Sequence, residues 1–133
     1  MDNCDNDSFI FTRSKFSYVR MKNKSQLKGK EYEREIAKFL SKYFNEEVKR
    51  TPSPEKYKWH SGDVGCRNSK SILNRFHWEL KKRERIEILD WIHKAEDDAE
   101  ALKTPLVVFS KNRENDYVCL SLQDFCALLK ELE

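Results

Sequence analysis

The sequence predicts a mixed α/β fold in which helices flank a β-sheet. Apolar residues recur at spacings of three and four between Lys28 and Phe44, which indicates an amphipathic helix. Leu106–Phe109 is a continuous apolar run, typical of a central strand covered on both faces. The predicted elements follow the order helix, three strands, helix, two strands, helix. Such interspersed elements favour a mixed sheet between helices.

Length and composition restrict the class of protein. The chain has 133 residues and a mass of 16.0 kDa, so we expect one folded domain, over residues 28–133. Charged residues reach 37%, against about 25% in an average domain, and no apolar run approaches about 18 residues, which excludes a membrane protein. The acidic, polar opening lacks an export signal, so a cytoplasmic location is expected. Four cysteines without a Cys-x-x-Cys pair argue against a zinc site.

The net charge of +3 conceals an uneven distribution along the chain. From Ser8 to Leu89 there are 21 basic and 10 acidic residues, a balance of +11; from Asp90 to Glu133 there are 5 and 10, a balance of −5. Residues 8–30 contain seven basic residues and no acid. Such a segment is attracted to polyanions. We therefore expect residues 1–27 to form a basic N-terminal arm, partly disordered or docked, that contacts nucleic acid; a solvated arm without that role is the alternative.

The first half of the chain contains one predicted helix and three predicted strands. In the arm, Phe9, Phe11, Phe16, Tyr18 and Val19 interleave with basic residues and indicate a short strand or a docked extension. The helix over Lys28–Phe44 carries its apolar residues at positions 32, 36, 39, 40, 43 and 44. The three strands are expected at Glu47–Arg50, Gly62–Cys66 and Arg75–Lys81, with a Ser/Pro-rich loop before Gly62 and a turn at Arg67–Asn74.

The second half contains two predicted helices and two predicted strands. A helix over Ile88–Leu102 places Ile88, Trp91, Ile92, Ala95, Ala99 and Leu102 within one arc. Strands follow at Leu106–Phe109 and Tyr117–Leu120, separated by a turn at Lys111–Asn115. Ser121, with Asp124 three residues later, resembles a capping box that begins a last helix. The apolar stripe of that helix is Leu122, Phe125, Leu129 and Leu132.

One predicted strand places a carboxylate beside an amine. In Phe76–Lys81 the apolar residues Phe76, Trp78 and Leu80 point to one face, and His77, Glu79 and Lys81 point to the other. Glu79 and Lys81 are then about 7 Å apart. A carboxylate can hold a divalent metal, and a nearby amine can orient or activate a water molecule. The pattern alone is weak, because Glu47-Val48-Lys49 repeats it and a solvated strand face explains either copy.

Two further acids strengthen the interpretation. Asp63 lies on the preceding strand between Gly62 and Gly65, and it can share a metal with Glu79 if the two strands are neighbours. Glu33 falls inside the apolar arc of the first helix, where a glutamate is rare unless it pairs or binds a metal. A salt bridge to Lys81 and a role beside the metal are both open for Glu33. His77 shares this face; a neutral polar role is favoured over metal binding.

These residues resemble the PD-(D/E)xK nuclease superfamily. Gly62-Asp63, separated by fifteen residues from Glu79-Leu80-Lys81 and preceded by a helix bearing Glu33, follows its order of elements. The segment from Lys28 to Glu35 is similar to the opening helix of archaeal-type Holliday-junction resolvases and their phage relatives. The resemblance covers roughly residues 28 to 130. Gly62 stands where the superfamily usually has proline.

The resemblance implies a fold of restriction-endonuclease type with Glu79 and Lys81 facing an open cleft. It also implies a magnesium-dependent endonuclease (Mn²⁺ substituting) that cleaves branched DNA as a homodimer in recombination or repair. Asp63, Glu79 and the Leu80 carbonyl would bind the metal, Lys81 would act on the water, and Glu33 would support the site or join the metal. An inactive DNA-binding module of the same fold and a duplex-DNA nuclease are the alternatives.

Basic and aromatic residues near this site are candidates for contacts with DNA. Trp59 and His60 are placed to stack on nucleotides, and a role in sealing the core is equally open to them. The candidates for binding phosphate, each of which is otherwise a surface charge, are Arg50, Lys56, Lys58, Lys82, Arg83 and Arg85.

Overall fold

The computed structural model of the protein describes residues 13–51 and 62–133. The chain divides into two compact units, which meet in the sequence between Glu31 and Tyr32. The second unit contains every strand that the structure describes. No helix in the described ranges is both long enough and apolar enough to cross a membrane.

The order of the elements confirms the predicted mixed α/β fold. The helices are α1 (Arg13–Phe44), α2 (Ile88–Asp98) and α3 (Leu122–Glu131), and a single 3₁₀ turn covers Ile72–Arg75. The strands are β1 (Val48–Arg50), β2 (Val64–Cys66), β3 (Phe76–Lys82), β4 (Thr104–Ser110) and β5 (Tyr117–Cys119). The arrangement is compatible with the expected restriction-endonuclease type.

Helix α1 begins fifteen residues earlier than predicted, at Arg13 instead of Lys28. The expected strand at Phe16–Val19 is therefore wrong. No proline occurs between Arg13 and Phe44, and the segment before Lys28 is rich in Lys, Arg, Met, Gln and Leu, which favour a helix. Phe9 and Phe11 lie outside the described residues. The predicted boundary between arm and domain at residue 28 falls within α1, and this division of the chain stays a prediction.

The strands form two small sheets. β1 and β2 pair antiparallel, with Arg50 opposite Val64. In the second sheet β4 is central: it pairs parallel with β3 and antiparallel with β5, which makes a mixed sheet in the order β3-β4-β5. The crossover between parallel β3 and β4 contains α2, as a parallel pair requires. The expected mixed sheet is thus present.

The two faces of the β3–β4 pair contact different apolar clusters, and Trp78 and Leu80 share one buried face of β3 as its alternation predicts. Trp78 and Leu80 belong to a buried cluster with Tyr32, Ile36 and Leu40 of α1. Phe76 packs against the same cluster and is only partly buried. On the α2 side, a second cluster joins Trp91, Ile92 and Ala95 to Val107 of β4.

Several apolar residues predicted on helix stripes are exposed. Helix α2 ends at Asp98 instead of Leu102, because the chain must turn back to begin β4 at Thr104; Leu102 is consequently fully exposed. Helix α3 begins as predicted, with the Ser121 Oγ accepting a hydrogen bond from the Asp124 N–H, but none of its residues is buried. The exposed residues on these stripes are Phe39, Tyr43, Phe44, Leu102, Leu122, Phe125, Leu129 and Leu132.

Candidate active site

Gly62 positions the first candidate acid by a close approach of two backbone segments. Its φ of +90° lies in a backbone region that residues with a side chain rarely adopt. A Cβ at this position would lie 2.8 Å from both the N and the O of Trp78. Only glycine therefore fits here, and the residue that follows it, Asp63, is held directly against β3.

Asp63 links β2 to β3, although these strands share no hydrogen-bonded ladder. The Asp63 N–H donates to the Trp78 carbonyl at 2.7 Å, and the Leu80 N–H donates to Asp63 Oδ2 at 2.8 Å. The Thr51 N–H donates to the Asp63 carbonyl at 2.9 Å. The side chain of Asp63 therefore lies beside the Glu79-Leu80-Lys81 segment, as expected for neighbouring strands.

Glu79 is buried, with only 4% of its surface exposed. Its carboxylate lies 3.3 Å from Lys94 Nζ and 3.8 Å from Lys81 Nζ, measured from Oε2. His77 Nε2 is 3.5 Å from Oε1, too far for a well-formed hydrogen bond. The expectation that Glu79 faces an open cleft is wrong, because α2 packs against this face and brings Lys94 to the carboxylate. Lys81 is partly exposed.

The pKa values of Asp63 and Glu79 shift in opposite directions. Burial, followed by the negative charge of Glu79 and a smaller contribution from Glu33, raises the pKa of Asp63 to about 7, although the Leu80 N–H and Lys81 act against this rise. For Glu79, burial alone would raise the pKa, but interactions with His77, Lys94 and Lys81 outweigh it and lower the pKa below its usual value. Glu79 is thus ionised at neutral pH, whereas Asp63 is only partly ionised there.

Glu33 forms a salt bridge with Arg50 and not with Lys81. Arg50 Nε lies 2.8 Å from Glu33 Oε1, and both side chains are partly buried. A structural salt bridge, one of the two alternatives for Glu33, is therefore present, but its partner is Arg50 and not the suggested Lys81. Glu33 projects toward β1, where Arg50 ends the strand, so the nearer cation binds it. The negative charge of Glu33 nevertheless contributes to the raised pKa of Asp63. Glu33 therefore lies at the margin of the same group of residues.

Three of the other basic candidates, Lys82, Arg83 and Arg85, lie at or just after the end of β3. Lys82 Nζ is 5.7 Å from the centre of the Tyr32 ring, within range of a cation–π interaction. Arg83 is exposed, and Arg85 is exposed with its Nε 3.5 Å from Glu87. Lys56, Lys58, Trp59 and His60 lie outside the described residues. The roles of all these residues in DNA binding stay predictions.

Sequence reasoning missed two side chains of this region. Lys94 contacts both Glu79 and Asp98, which is 2.9 Å away, and only the packing of α2 on β3 reveals this position. The Tyr32 hydroxyl donates to Asp116 at 2.6 Å across 84 residues of sequence. Burial, together with this hydrogen bond, raises the pKa of Tyr32. No spacing in the sequence indicates the Lys94–Glu79 pair or the Tyr32–Asp116 pair.

The oxygen donors of the site suit a hard cation. In the described part of the chain, no three His, Cys, Asp or Glu side chains are arranged to hold a metal. Mg²⁺, however, is commonly held by one or two carboxylates and completes its coordination with water. Asp63 and Glu79 supply two carboxylates whose mutual repulsion a cation would relieve. The residues present therefore fit Mg²⁺.

Comparisons with known proteins identify the family of the chain. No curated protein and no solved structure gave a significant match. A family model described as phage putative PDDEXK endonuclease matches residues 24–133, which is most of the chain. The matched range includes Glu33, Asp63, Glu79 and Lys81. The chain therefore belongs to this PDDEXK endonuclease family.

Proposed function

We propose that the protein is a magnesium-dependent endodeoxyribonuclease that hydrolyses phosphodiester bonds in branched DNA. The observation that carries the proposal is the hydrogen bond from the Leu80 N–H to Asp63, because it holds one acid beside the strand that bears Glu79 and Lys81. Family membership supports the nuclease activity. The branched substrate rests on the resemblance of the Lys28–Glu35 segment to junction resolvases.

Asp63, Glu79 and the Leu80 carbonyl are the groups that would hold the metal. When bound, Mg²⁺ would neutralise charge on the scissile phosphate and lower the pKa of a water molecule. Mn²⁺, which accepts similar oxygen ligands, is expected to substitute. The raised pKa of Asp63 supports a cation at this position, because burial and then the negative charge of Glu79 disfavour the ionised carboxylate, and a bound cation would offset both effects.

Lys81 is the residue that we assign to the attacking water. Its Nζ lies near Glu79 and remains partly exposed, so it can reach a substrate while the carboxylate fixes its position. In the reaction a water oxygen forms a bond to phosphorus and gives up a proton, the bond between phosphorus and one ester oxygen breaks, and that ester oxygen takes up a proton. Glu33, bound to Arg50, supports the site from α1. An additional role of Glu33 at the metal belongs to the same proposal.

A homodimer is part of the proposal for branched substrates. Two copies related by a two-fold axis would place two active sites for paired cuts at a junction. The apolar stripe of α3 (Leu122, Phe125, Leu129 and Leu132) supports self-association, because a stripe of this kind is exposed in the single chain. Arg50, Lys56, Lys58, Lys82, Arg83 and Arg85 would contact the phosphates of such a substrate.

Two alternatives make different predictions for the same experiment. A binding module that has lost its chemistry would bind DNA without cutting it; the presence of all four polar site residues argues against this alternative. A duplex nuclease of restriction or repair type would cut linear duplexes as readily as junctions.

Cleavage assays on a panel of substrates test the proposal. Purified protein is incubated with a four-way junction, a flap, a linear duplex and single-stranded DNA of matched sequence, in Mg²⁺, in Mn²⁺ and in EDTA. We expect junction cleavage with either metal and none in EDTA. Equal cleavage of the linear duplex would refute the branched substrate, and binding without cleavage in any condition would refute the nuclease. Sedimentation of the protein with and without junction measures the dimer.

A further inference from the structure

A groove of about 370 Å³ lies between helix α1 and strand β1. Ala37 and the buried Val48 belong to its lining. Its other lining residues are all basic: Arg34 and Lys38 come from the helix, and Lys49 and Arg50 come from the strand. Within the residues described, no acidic side chain lines the groove.

The two helix residues supply most of the available positive charge. Lys49 Nζ lies 3.0 Å from Glu47, and Arg50 binds Glu33, so these two charges are partly neutralised. Arg34 and Lys38 are exposed and form no ion pair with any described residue. They are four residues apart on one helix face, where like charges repel each other. This arrangement does not stabilise the helix, but it suits an external polyanion.

One end of the groove lies next to the candidate active site. Arg50 lines the groove, and its backbone is paired with Val64, the residue that follows Asp63. Thr51, next in the chain, donates its N–H to the Asp63 carbonyl. A strand of nucleic acid that follows the groove would therefore be led toward Asp63.

A neighbouring pocket does not share this character. Its lining consists of Glu47, Lys49, Gly65 and Arg67, and Glu47 contacts both basic side chains. The charges in that pocket are partly offset, because one carboxylate contacts both cations. Of these two pockets, the α1–β1 groove is the one whose lining includes basic side chains without an ion pair to a described residue.

We propose that the groove between α1 and β1 binds the phosphodiester backbone of DNA and directs one strand to Asp63. The inference rests on the proposed nuclease function and adds the surface along which the substrate lies. Arg34 and Lys38 are the principal phosphate contacts, and they act without regard to base sequence. Lys49 and Arg50 add positive charge to the groove, which Glu47 and Glu33 partly neutralise.

The test measures the salt dependence of DNA binding by the full-length protein. Fluorescence anisotropy with a labelled duplex, in EDTA to prevent cleavage, is recorded for the wild type and for Arg34→Ala/Lys38→Ala. Loss of two phosphate contacts should reduce the slope of log affinity against log salt by roughly 2. Affinity at about 0.1 M salt should fall roughly tenfold or more. Lys70→Ala/Lys130→Ala, which removes the same charge away from the groove, is the matched control.

A charge-retaining variant separates binding from folding. Arg34→Lys/Lys38→Arg should keep the wild-type slope, and neither groove variant should lower the melting temperature. A slope for Arg34→Ala/Lys38→Ala equal to that of the control would overturn the proposal, as would a wild type that binds no DNA. If the slope falls as expected but the wild type cleaves no substrate, the groove stands and the nuclease proposal fails. If the wild type cleaves and the slope is unchanged, the groove alone fails.

Discussion

The Leu80 N–H donates a 2.8 Å hydrogen bond to the carboxylate of Asp63, and this bond connects two strands that share no ladder. In a regular sheet that donor would serve a neighbouring strand. Here the side chain of Asp63 accepts the hydrogen bond from Leu80. A second hydrogen bond, from the Asp63 N–H to the Trp78 carbonyl, fixes the backbone of Asp63 against β3. The result is an acid held rigidly beside Glu79 in a partly buried position, where two like charges repel.

Replacing Asp63 should make the fold more stable in alkaline solution. The pKa of Asp63 is raised to about 7 in the folded protein, against 3.8 in an unconstrained chain. The folded state thus holds the proton more tightly, and stability is lost as the pH rises from about 4 to about 7. Asp63→Asn keeps an acceptor for Leu80 and removes the charge. We expect it to raise the free energy of unfolding at pH 8 by up to about 4 kcal/mol.

Denaturant unfolding of both proteins at pH 4 and pH 8 measures this effect. The difference between them should be fully present at pH 8 and small at pH 4, where Asp63 is protonated in the folded state and nearly half protonated in the unfolded state. Mg²⁺ added at pH 8 should stabilise the wild type more than Asp63→Asn, because a bound cation favours the folded state. An Asp63→Asn variant that is equally stabilised at both pH values would show that its effect has nothing to do with proton binding.

Two lysines near Glu79 should differ in their contributions to cleavage. Lys81→Met and Glu79→Gln should each lower kcat/KM by roughly 100-fold or more, the range expected for a group that acts on the reacting water. Lys94 is closer to Glu79, but it also binds Asp98 on its own helix. Its role is to hold Glu79 ionised and in place, so we expect Lys94→Met to cost about tenfold or less.

Single-turnover cleavage over a range of pH distinguishes these roles. Lys94→Met should shift the pH profile, because loss of a nearby cation raises the pKa of Glu79. Lys81→Met should stay roughly 100-fold or more below the wild type at every pH. A loss for Lys94→Met as large as that for Lys81→Met, without a shift of the profile, would identify Lys94 as the essential amine.

Adding one methyl group at Gly62 should damage both the fold and the site. Gly62→Ala would force a Cβ to within 2.8 Å of the Trp78 backbone at a φ of +90°. We expect a loss of about 2 kcal/mol or more in the free energy of unfolding and a large loss of cleavage. Gly29→Ala is the matched control: nothing lies within 4 Å of its Cβ, and it is in a helix, so it should stabilise by roughly 0.5–1 kcal/mol. Equal melting temperatures for the two variants would contradict this account.

The N-terminal arm should increase affinity for DNA without changing the chemistry. A variant in which four basic residues of the arm are replaced by Gln should show a slope of log affinity against log salt that is lower by about 3, since each phosphate contact contributes about 0.9. The four residues are Lys15, Arg20, Lys22 and Lys24. Gln retains helix propensity, so α1 should persist. Cleavage at saturating protein should continue, because Glu33, Asp63, Glu79 and Lys81 lie downstream. If the arm docks instead, the slope of log affinity against log salt will be unchanged. Deleting residues 1–27 will then lower thermal stability or dissociate a dimer.

The sequence by itself determined the order of the elements and the alternation of β3. Apolar residues at every second position place Trp78 and Leu80 on one face and Glu79 with Lys81 on the other, and the period of a strand leaves no other choice. Ser121 likewise determines where α3 begins. These features depend on local backbone geometry, which a sequence pattern encodes directly.

The tertiary structure decided the partners of the charged residues and the exposure of the helix stripes. Lys94 reaches Glu79 because α2 packs on β3, and Glu33 binds Arg50 because α1 lies against β1. The stripe of α3 is apolar by sequence yet exposed, because a helix period identifies an apolar face and not the surface that covers it. Ion pairs form between side chains that are distant in sequence, and only the packed arrangement of the elements determines which of them meet.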